Sequence, residues 1–229
     1  MLDSFKRKID YLRFSVTDRC DLRCKYCMPQ KMKFTQKEDS LSVKEMKIIS
    51  NIFFDLGFKK IRITGGEPLI RKDIIDFLSF LNSKLKSKLI SEISLTTNGT
   101  MLNKYANQIY QNGIRRINVS LDSLIPEKYS FITNGGNLKK VLDGIFDIKK
   151  TGIKVKINTV LLKGFNEDEL IKFVEWCSKN EFDISFIEVM PIGEFGVKRK
   201  DQFVSIDIAK SIIEKKYSLN KIDYKTNGP

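Results

Sequence analysis

Three cysteines fall within Cys20-Asp21-Leu22-Arg23-Cys24-Lys25-Tyr26-Cys27, a C-x3-C-x2-C run. Three thiolates on one short loop can hold three irons of a cubane cluster. A closed cluster takes four cysteines, so one iron would keep an open position. Open metal positions are where reactivity, rather than scaffolding, is found. A structural zinc site fits poorly, because the chain has no histidine and only one further cysteine, Cys177. A disulfide framework fits less well still: four cysteines in 229 residues are sparse, and three of them lie too close together to pair usefully. Cys177, at the end of Phe173-Val174-Glu175-Trp176-Cys177, reads as a buried thiol on an amphipathic helix.

Two more segments carry site chemistry. Thr64-Gly65-Gly66-Glu67-Pro68 joins two glycines, which permit close backbone approach to a ligand, to a carboxylate and carbonyls able to accept hydrogen bonds from an ammonium group. Thr96-Thr97-Asn98-Gly99 closes another β-like run in the same way.

These segments need elements to position them. Short β-branched runs alternate with helical periods, the signature of repeated βα units and a parallel sheet. Strands are predicted at residues 11–16, 60–64, 92–97, 116–121, 154–161 and 184–190. Helices are predicted at 42–56, 70–86, 102–111, 138–150, 167–179 and 206–216, with Gly57, Gly113 and Gly152 as left-handed stops. A Gly-containing loop to about residue 200 and a polar tail complete the chain. The expected organisation is a barrel domain over residues 1–190 and a C-terminal extension over 191–229.

Strands buried on both faces are usually continuous apolar runs. Here they alternate, so Arg13, Ser15, Arg62, Thr64, Ser94, Thr96, Asn118, Ser120, Lys156 and Asn158 share the face opposite the helices. The fold class is therefore α/β, and the polar inner face suggests a six-stranded, partial βα barrel of the TIM type around a ligand-filled lumen. An open sheet with one wet face is the alternative. Inward cations need an anionic partner to offset their desolvation, so Arg13, Arg62 and Lys156 point to an anionic substrate such as a phosphorylated one. Sites in such barrels are built at the C-terminal rim of the strands, where Gly65-Gly66-Glu67 and Asn98-Gly99 fall.

The formal net charge of +13 invites a nucleic-acid reading. Yet 32 of the 41 basic residues are scattered lysines, and no aromatic-interleaved basic stripe is present. Pairs such as Lys59-Lys60, Lys139-Lys140, Lys149-Lys150 and Lys215-Lys216 read as solvated positions on helices or helix ends. No window approaches the ~20 apolar residues of a membrane span. The expectation is a cytoplasmic protein with neither membrane nor nucleic acid as its main partner.

The cysteine spacing with an aromatic before Cys27, followed by Gly-Gly-Glu-Pro on the second strand, resembles the radical S-adenosylmethionine (SAM) superfamily. The resemblance narrows to its GTP 3′,8-cyclase family through Leu12-Arg13-Phe14-Ser15-Val16-Thr17-Asp18-Arg19-Cys20, Tyr26-Cys27-Met28-Pro29, Ile61-Arg62-Ile63-Thr64, Arg116-Ile117-Asn118-Val119-Ser120-Leu121-Asp122 and Lys156-Ile157-Asn158-Thr159-Val160. That family makes a cyclic purine intermediate early in molybdenum cofactor biosynthesis. The resemblance implies that Cys20, Cys24 and Cys27 ligate one [4Fe–4S] cluster. It further implies that Tyr26, Gly66, Ser120 and Met190 contact SAM, and that Arg13, Arg62, Thr96 and Lys156 contact GTP. A reductant protein such as flavodoxin or ferredoxin is implied as a partner.

Family members continue past the equivalent of Asn227-Gly228-Pro229 into a region with three more cysteines, a second cluster and basic residues that hold GTP. They also carry an arginine where this chain has Ser185, before Phe186-Ile187-Glu188. The expectations are therefore a fragment, a chain completed by a homodimer partner or a C-terminal polypeptide, a radical SAM enzyme with another substrate, or a non-catalytic purine-nucleotide-binding fragment.

Overall fold

The computed structural model describes residues 3–28, 31–36, 38–190 and 199–222. The alternating runs become six strands: β1 (Tyr11–Ser15), β2 (Lys60–Thr64), β3 (Glu92–Thr97), β4 (Arg116–Ser120), β5 (Lys154–Leu161) and β6 (Asp183–Glu188). All neighbours pair in parallel, and the sheet order follows chain order. Each parallel step requires a crossover. The crossovers contain α1 (Val43–Asp55), α2 (Ile74–Lys86), α3 (Leu102–Gln111), the pair α4 (Pro126–Thr133) and α5 (Leu138–Lys150), and α6 (Leu170–Lys179). Beyond β6 come α7 (Arg199–Gln202) and α8 (Ile206–Glu214).

β6 does not pair with β1, so the sheet is an open, partial barrel rather than a closed one. A closed parallel barrel of this type takes eight strands, two more than the described residues supply.

Local chemistry explains most helix ends. Ser42 and Glu45 form a reciprocal capping box at α1. Gly57, Gly113 and Gly152 adopt positive φ after α1, α3 and α5, as their positions in the sequence require. Two predicted helices begin differently. Residues 70–86 split into a short 3-10 turn, Pro68–Ile70, and α2, because Arg71 is extended at φ −69° and ψ 121°. Its guanidinium holds the carbonyls of Val16 and Leu41 and the carboxylate of Asp73. Residues 167–179 likewise open on a 3-10 turn, Glu167–Glu169. Helix α4 was not expected from the sequence. It starts on Pro126, whose missing N–H costs nothing at a first helical position, and ends on Asn134 in the left-handed conformation. Lys60 opens β2 and does not end a helix. The predicted loop at 191–198 and the tail at 225–229 lie outside the described residues.

The outward face of the sheet makes the core. Ile61, Ile63, Leu95, Ile117, Val119 and Ile157 are fully buried beneath the helices. Phe77 of α2 sits among them, with Phe14 and Phe80 at centroid distances of 5.7 and 6.2 Å. A satellite cluster of Leu161, Leu170, Val204 and Ala209 seats α8 against the end of the sheet. Cys177 is buried in the main core, as its amphipathic setting indicated. No helix among the described residues is long and apolar enough to cross a membrane.

Because Phe77 is fully buried against both sheet and helix, Phe77→Ala is expected to cost about 3–5 kcal/mol of stability. Denaturant unfolding measures this, and a loss below about 1 kcal/mol would contradict the packing described.

Candidate functional site

The site begins where β1 and β2 end side by side. Val16 N–H donates to the Thr64 carbonyl, Gly66 N–H to the Thr17 carbonyl at 2.7 Å, and Glu67 N–H to the Arg19 carbonyl at 2.8 Å. The cysteine loop is thereby stitched to the Gly-Gly-Glu turn, backbone to backbone. A β-carbon on Gly66 would lie 2.2 Å from the Arg19 oxygen, and one on Gly65 would lie 2.5 Å from the Thr17 oxygen. Only glycine permits this approach. No described backbone N–H donates to the carbonyls of Gly65 or Gly66.

Cys20, Cys24 and Cys27 face a cavity of about 270 Å³ lined also by Ser15, Thr17, Met28, Gly65 and Gly66. Among the described residues, no three His, Cys, Asp or Glu side chains converge closely enough to hold a single metal ion. Three sulfurs spread around a cavity instead suit a multi-iron cluster, whose irons occupy separate corners. Burial raises the thiol pKa of Cys20, and burial with the charges of Asp122 and the other two cysteines raises that of Cys24. Both are thus thiols until a metal displaces the proton. Backbone N–H of Leu22 and the Asn98 amide point at the Cys20 sulfur, at 3.4 and 3.6 Å.

Behind this loop lies a polar frame. Asp21 accepts from Asn98 Nδ2 at 2.8 Å and Thr100 Oγ1 at 2.6 Å. Glu67 is fully buried, and its carboxylate accepts from Leu69 N–H, Thr97 Oγ1 and Asn98 N–H. The carboxylate that the sequence offered to an ammonium group is therefore occupied in holding the β3 rim, because the turn folds it inward. Tyr26 is also committed: its hydroxyl donates to Asp122 at 2.6 Å, and Asp122 accepts Val160 N–H at 2.9 Å. The sequence reading passed over Asp21, Thr100 and Asp122 in this frame. The available signal for Thr100 and Asp122 was a polar residue just past a strand's C-terminal end, and for Asp21 its place inside the cysteine loop.

Below the rim the register sets cations side by side. Arg13 pairs with Arg62, Arg62 with Ser94, Thr96 with Asn118, and Asn118 with Lys156. Arg62 lies over the Tyr11 ring at 5.4 Å and donates to Ser94 at 3.3 Å. Burial, and then the like charges of Arg116 and Arg13, pull its pKa below the ordinary arginine value. Arg116 has a carboxylate partner in Glu92. Among the described residues none lies within ion-pair distance of Arg13, Arg62 or Lys156. Thr96 Oγ1 is buried and has no hydrogen-bond partner. Ser120 ends β4 at the same rim, and Met190 lies exposed two residues beyond β6. The structure thus brings Arg13, Arg62, Thr96 and Lys156 onto one inner face beneath the thiol loop, with Ser120 and Gly66 at its edge.

An open parallel sheet of βα units with a three-thiol loop after its first strand defines a protein of the radical SAM class, and the Radical SAM superfamily model matches residues 14–177. Proteins of this class use a [4Fe–4S] cluster and SAM. Solved structures share the fold. Streptococcus suis SuiB bound to its precursor peptide SuiA superposes with a TM-score of 0.74 over 90% of this chain and 46% of that one, at 18% identity. Methylornithine synthase superposes with a TM-score of 0.66 over 89% and 61%, at 15% identity. Sequence relatives are nearer: the GTP 3′,8-cyclases of Brucella ovis and Brucella abortus are each 44% identical over all 229 residues, which span 67% of their length. The chain belongs to the GTP 3′,8-cyclase family of radical SAM enzymes.

Burial raises Glu67 to a pKa of about 7 and Asp122 to about 6. Both folded values lie above the unfolded ones, so the folded state keeps protons that the unfolded state releases. The stability of the metal-free protein should fall as pH rises from about 4 to 7. In Glu67→Gln the upper part of that slope should flatten, leaving the Asp122 contribution below about pH 6. Urea unfolding across that range measures the effect; equal slopes in both proteins would refute it.

Proposed function

We propose that this chain performs the radical-generating and nucleotide-binding part of GTP 3′,8-cyclisation, toward (8S)-3′,8-cyclo-7,8-dihydroguanosine 5′-triphosphate in molybdenum cofactor biosynthesis. The observation that carries the reading is the cation-lined lumen lying directly beneath the thiol cavity. When bound, the cluster and SAM supply one-electron carbon–sulfur cleavage and a 5′-deoxyadenosyl radical that takes hydrogen from the ribose 3′ carbon.

The protein's own part is placement. Cys20, Cys24 and Cys27 hold three irons, leaving the fourth for SAM. The Gly66 carbonyl, Ser120 and Met190 contact SAM, and Tyr26 contributes through its backbone because its hydroxyl is bound to Asp122. Arg13, Arg62 and Lys156 have no ion-pair partner among the described residues, and the phosphates of GTP supply the anions that pair with exposed Arg13 and offset the partial desolvation of Arg62 and Lys156. Thr96 Oγ1 gains the partner it lacks. Bond formation from C3′ to guanine C8 then follows from holding ribose and base together in a site shielded from water.

A soluble reductant such as flavodoxin or ferredoxin supplies two electrons in the cytoplasm, one to cleave SAM and one that, with a proton, quenches the radical left on the guanine ring after the C3′–C8 bond forms. A second copy of the chain, or a polypeptide corresponding to the remaining third of the relatives' length, completes the enclosure of GTP.

The test is anaerobic reconstitution, iron and sulfide analysis, and 5′-deoxyadenosine release with and without GTP. About four irons per chain and GTP-stimulated release are expected. Losing one charge-assisted contact of about 1.5–3 kcal/mol in Arg62→Ala or Lys156→Ala should raise the GTP concentration for half-maximal stimulation about 10- to 100-fold. Release indifferent to GTP would sink the cyclase reading and leave a radical enzyme with another substrate.

A further inference from the structure

Positive charge gathers around the cysteine loop. Residues 18–33 carry five cations and two carboxylates, and both carboxylates are taken: Asp18 accepts Thr35 N–H at 2.6 Å, and Asp21 is held by Asn98 and Thr100. Arg19 and Lys25 are exposed and Arg23 is half-buried, and among the described residues none of the three has an ion-pair partner. They are not part of the lining of the thiol cavity, so their side chains project from the other side of the loop. Two rings from outside the loop gather them. The guanidinium groups of Arg19 and Arg23 lie 5.9 and 5.1 Å from the Phe34 centroid, and the Lys25 ammonium lies 3.1 Å from that of Phe131 on α4. Cation–π contact fixes such side chains on a ring and leaves their charge unneutralised. Phe131 is 56% exposed and stacks on Phe165 at 5.8 Å. On the Arg19 side the surface is concave, where Arg19 and Lys72 line a cavity of about 560 Å³ with the Arg71–Asp73 pair. A small apolar centre beside unpaired cations complements an acidic protein surface.

We propose that Arg19, Arg23 and Lys25, with Phe34 and Phe131, form the docking surface for an acidic one-electron carrier protein that reduces the cluster. The inference rests on the cluster being held by Cys20, Cys24 and Cys27. Arg19, Arg23 and Lys25 are each next to Cys20 or Cys24 in the chain, so a carrier seated on them is separated from the cluster by the thickness of one loop. Each transfer oxidises the carrier by one electron and reduces the cluster by one, with no bond made or broken. Electron-transfer encounters are small, and charge complementarity gives them speed more than strength. A nucleic acid needs a longer run of phosphate contacts than this compact surface offers.

The test compares the unaltered chain with Lys25→Glu and with the double variant Arg19→Glu, Lys25→Glu, using an acidic flavodoxin as probe. Calorimetric titration of the metal-free proteins with oxidised flavodoxin should show weak binding that fades as salt rises, and binding about 10-fold weaker in the double variant. After anaerobic reconstitution all three proteins should hold equal iron and sulfide. Stopped-flow reduction by reduced flavodoxin at low salt should then be about 10- to 100-fold slower in the double variant, with Lys25→Glu between. Reduction by photoreduced 5-deazariboflavin, a small uncharged donor that needs no docking surface, should be unchanged. Equal rates with flavodoxin at full iron loading overturn the proposal alone. Equal slowing with both donors also overturns it, because the cations would then be acting on the cluster itself. Tighter binding of a single-stranded RNA than of flavodoxin at physiological salt, lost in the double variant, would assign the surface to nucleic acid and overturn it too. If no protein takes up iron, the assignment of the three cysteines fails and the proposal fails with it.

Discussion

The structure depends on one seam of backbone contact, where Thr17 and Arg19 present their carbonyls to the amides of Gly66 and Glu67. At that seam two loops from adjacent strands come closer than any β-carbon allows. Everything chemical is referred to it. The cysteine loop has its position because β1 and β2 are neighbours in register, and because the chain after β2 turns without side chains. Glu67, the first residue after the glycines, carries the fixation further by binding the amide of Asn98 and the hydroxyl of Thr97. Three strand ends are thus locked to one another before any ligand arrives.

The second organising constraint is electrostatic. Placing Arg62 and Lys156 half-buried on the inner face of a sheet, beside an exposed Arg13, costs solvation that no described carboxylate repays by ion pairing. A fold tolerates that cost where a ligand returns it. The contrast with Arg116 is informative: one position along the same face, the cation is neutralised by Glu92. The same row of the sheet therefore holds one cation paired with Glu92 and two, Arg13 and Arg62, with no ion-pair partner among the described residues.

Much of this was legible in the sequence. Period-two alternation placed β2, β3 and β5 at their observed bounds, because each strand has one face under helices and one facing a polar lumen. The same alternation identified Arg62 and Lys156, and C-x3-C-x2-C identified the cysteine loop. What was not legible depended on contacts between distant segments. Helix α4 has little apolar stripe of its own and owes its place to Tyr129, Ile132 and the cysteine loop. Glu67 could not be read as a structural acceptor, since its partners come from β3, thirty residues on. The open edge between β1 and β6 agrees with the partial, six-stranded barrel expected from the sequence.

The union of α4 with the cysteine loop has a consequence for how a cluster would be acquired. Amides at Arg23 and Lys25 satisfy carbonyls that the end of a helix leaves open, so loop and helix end form together or not at all. Fixing a residue's backbone costs about 1–2 kcal/mol, and in many small metal sites the metal's own binding energy must meet that cost. Here folding meets it beforehand. Iron would encounter a mould already set, and the selectivity of assembly becomes a property of the mould's shape rather than of the metal's ability to organise a floppy chain.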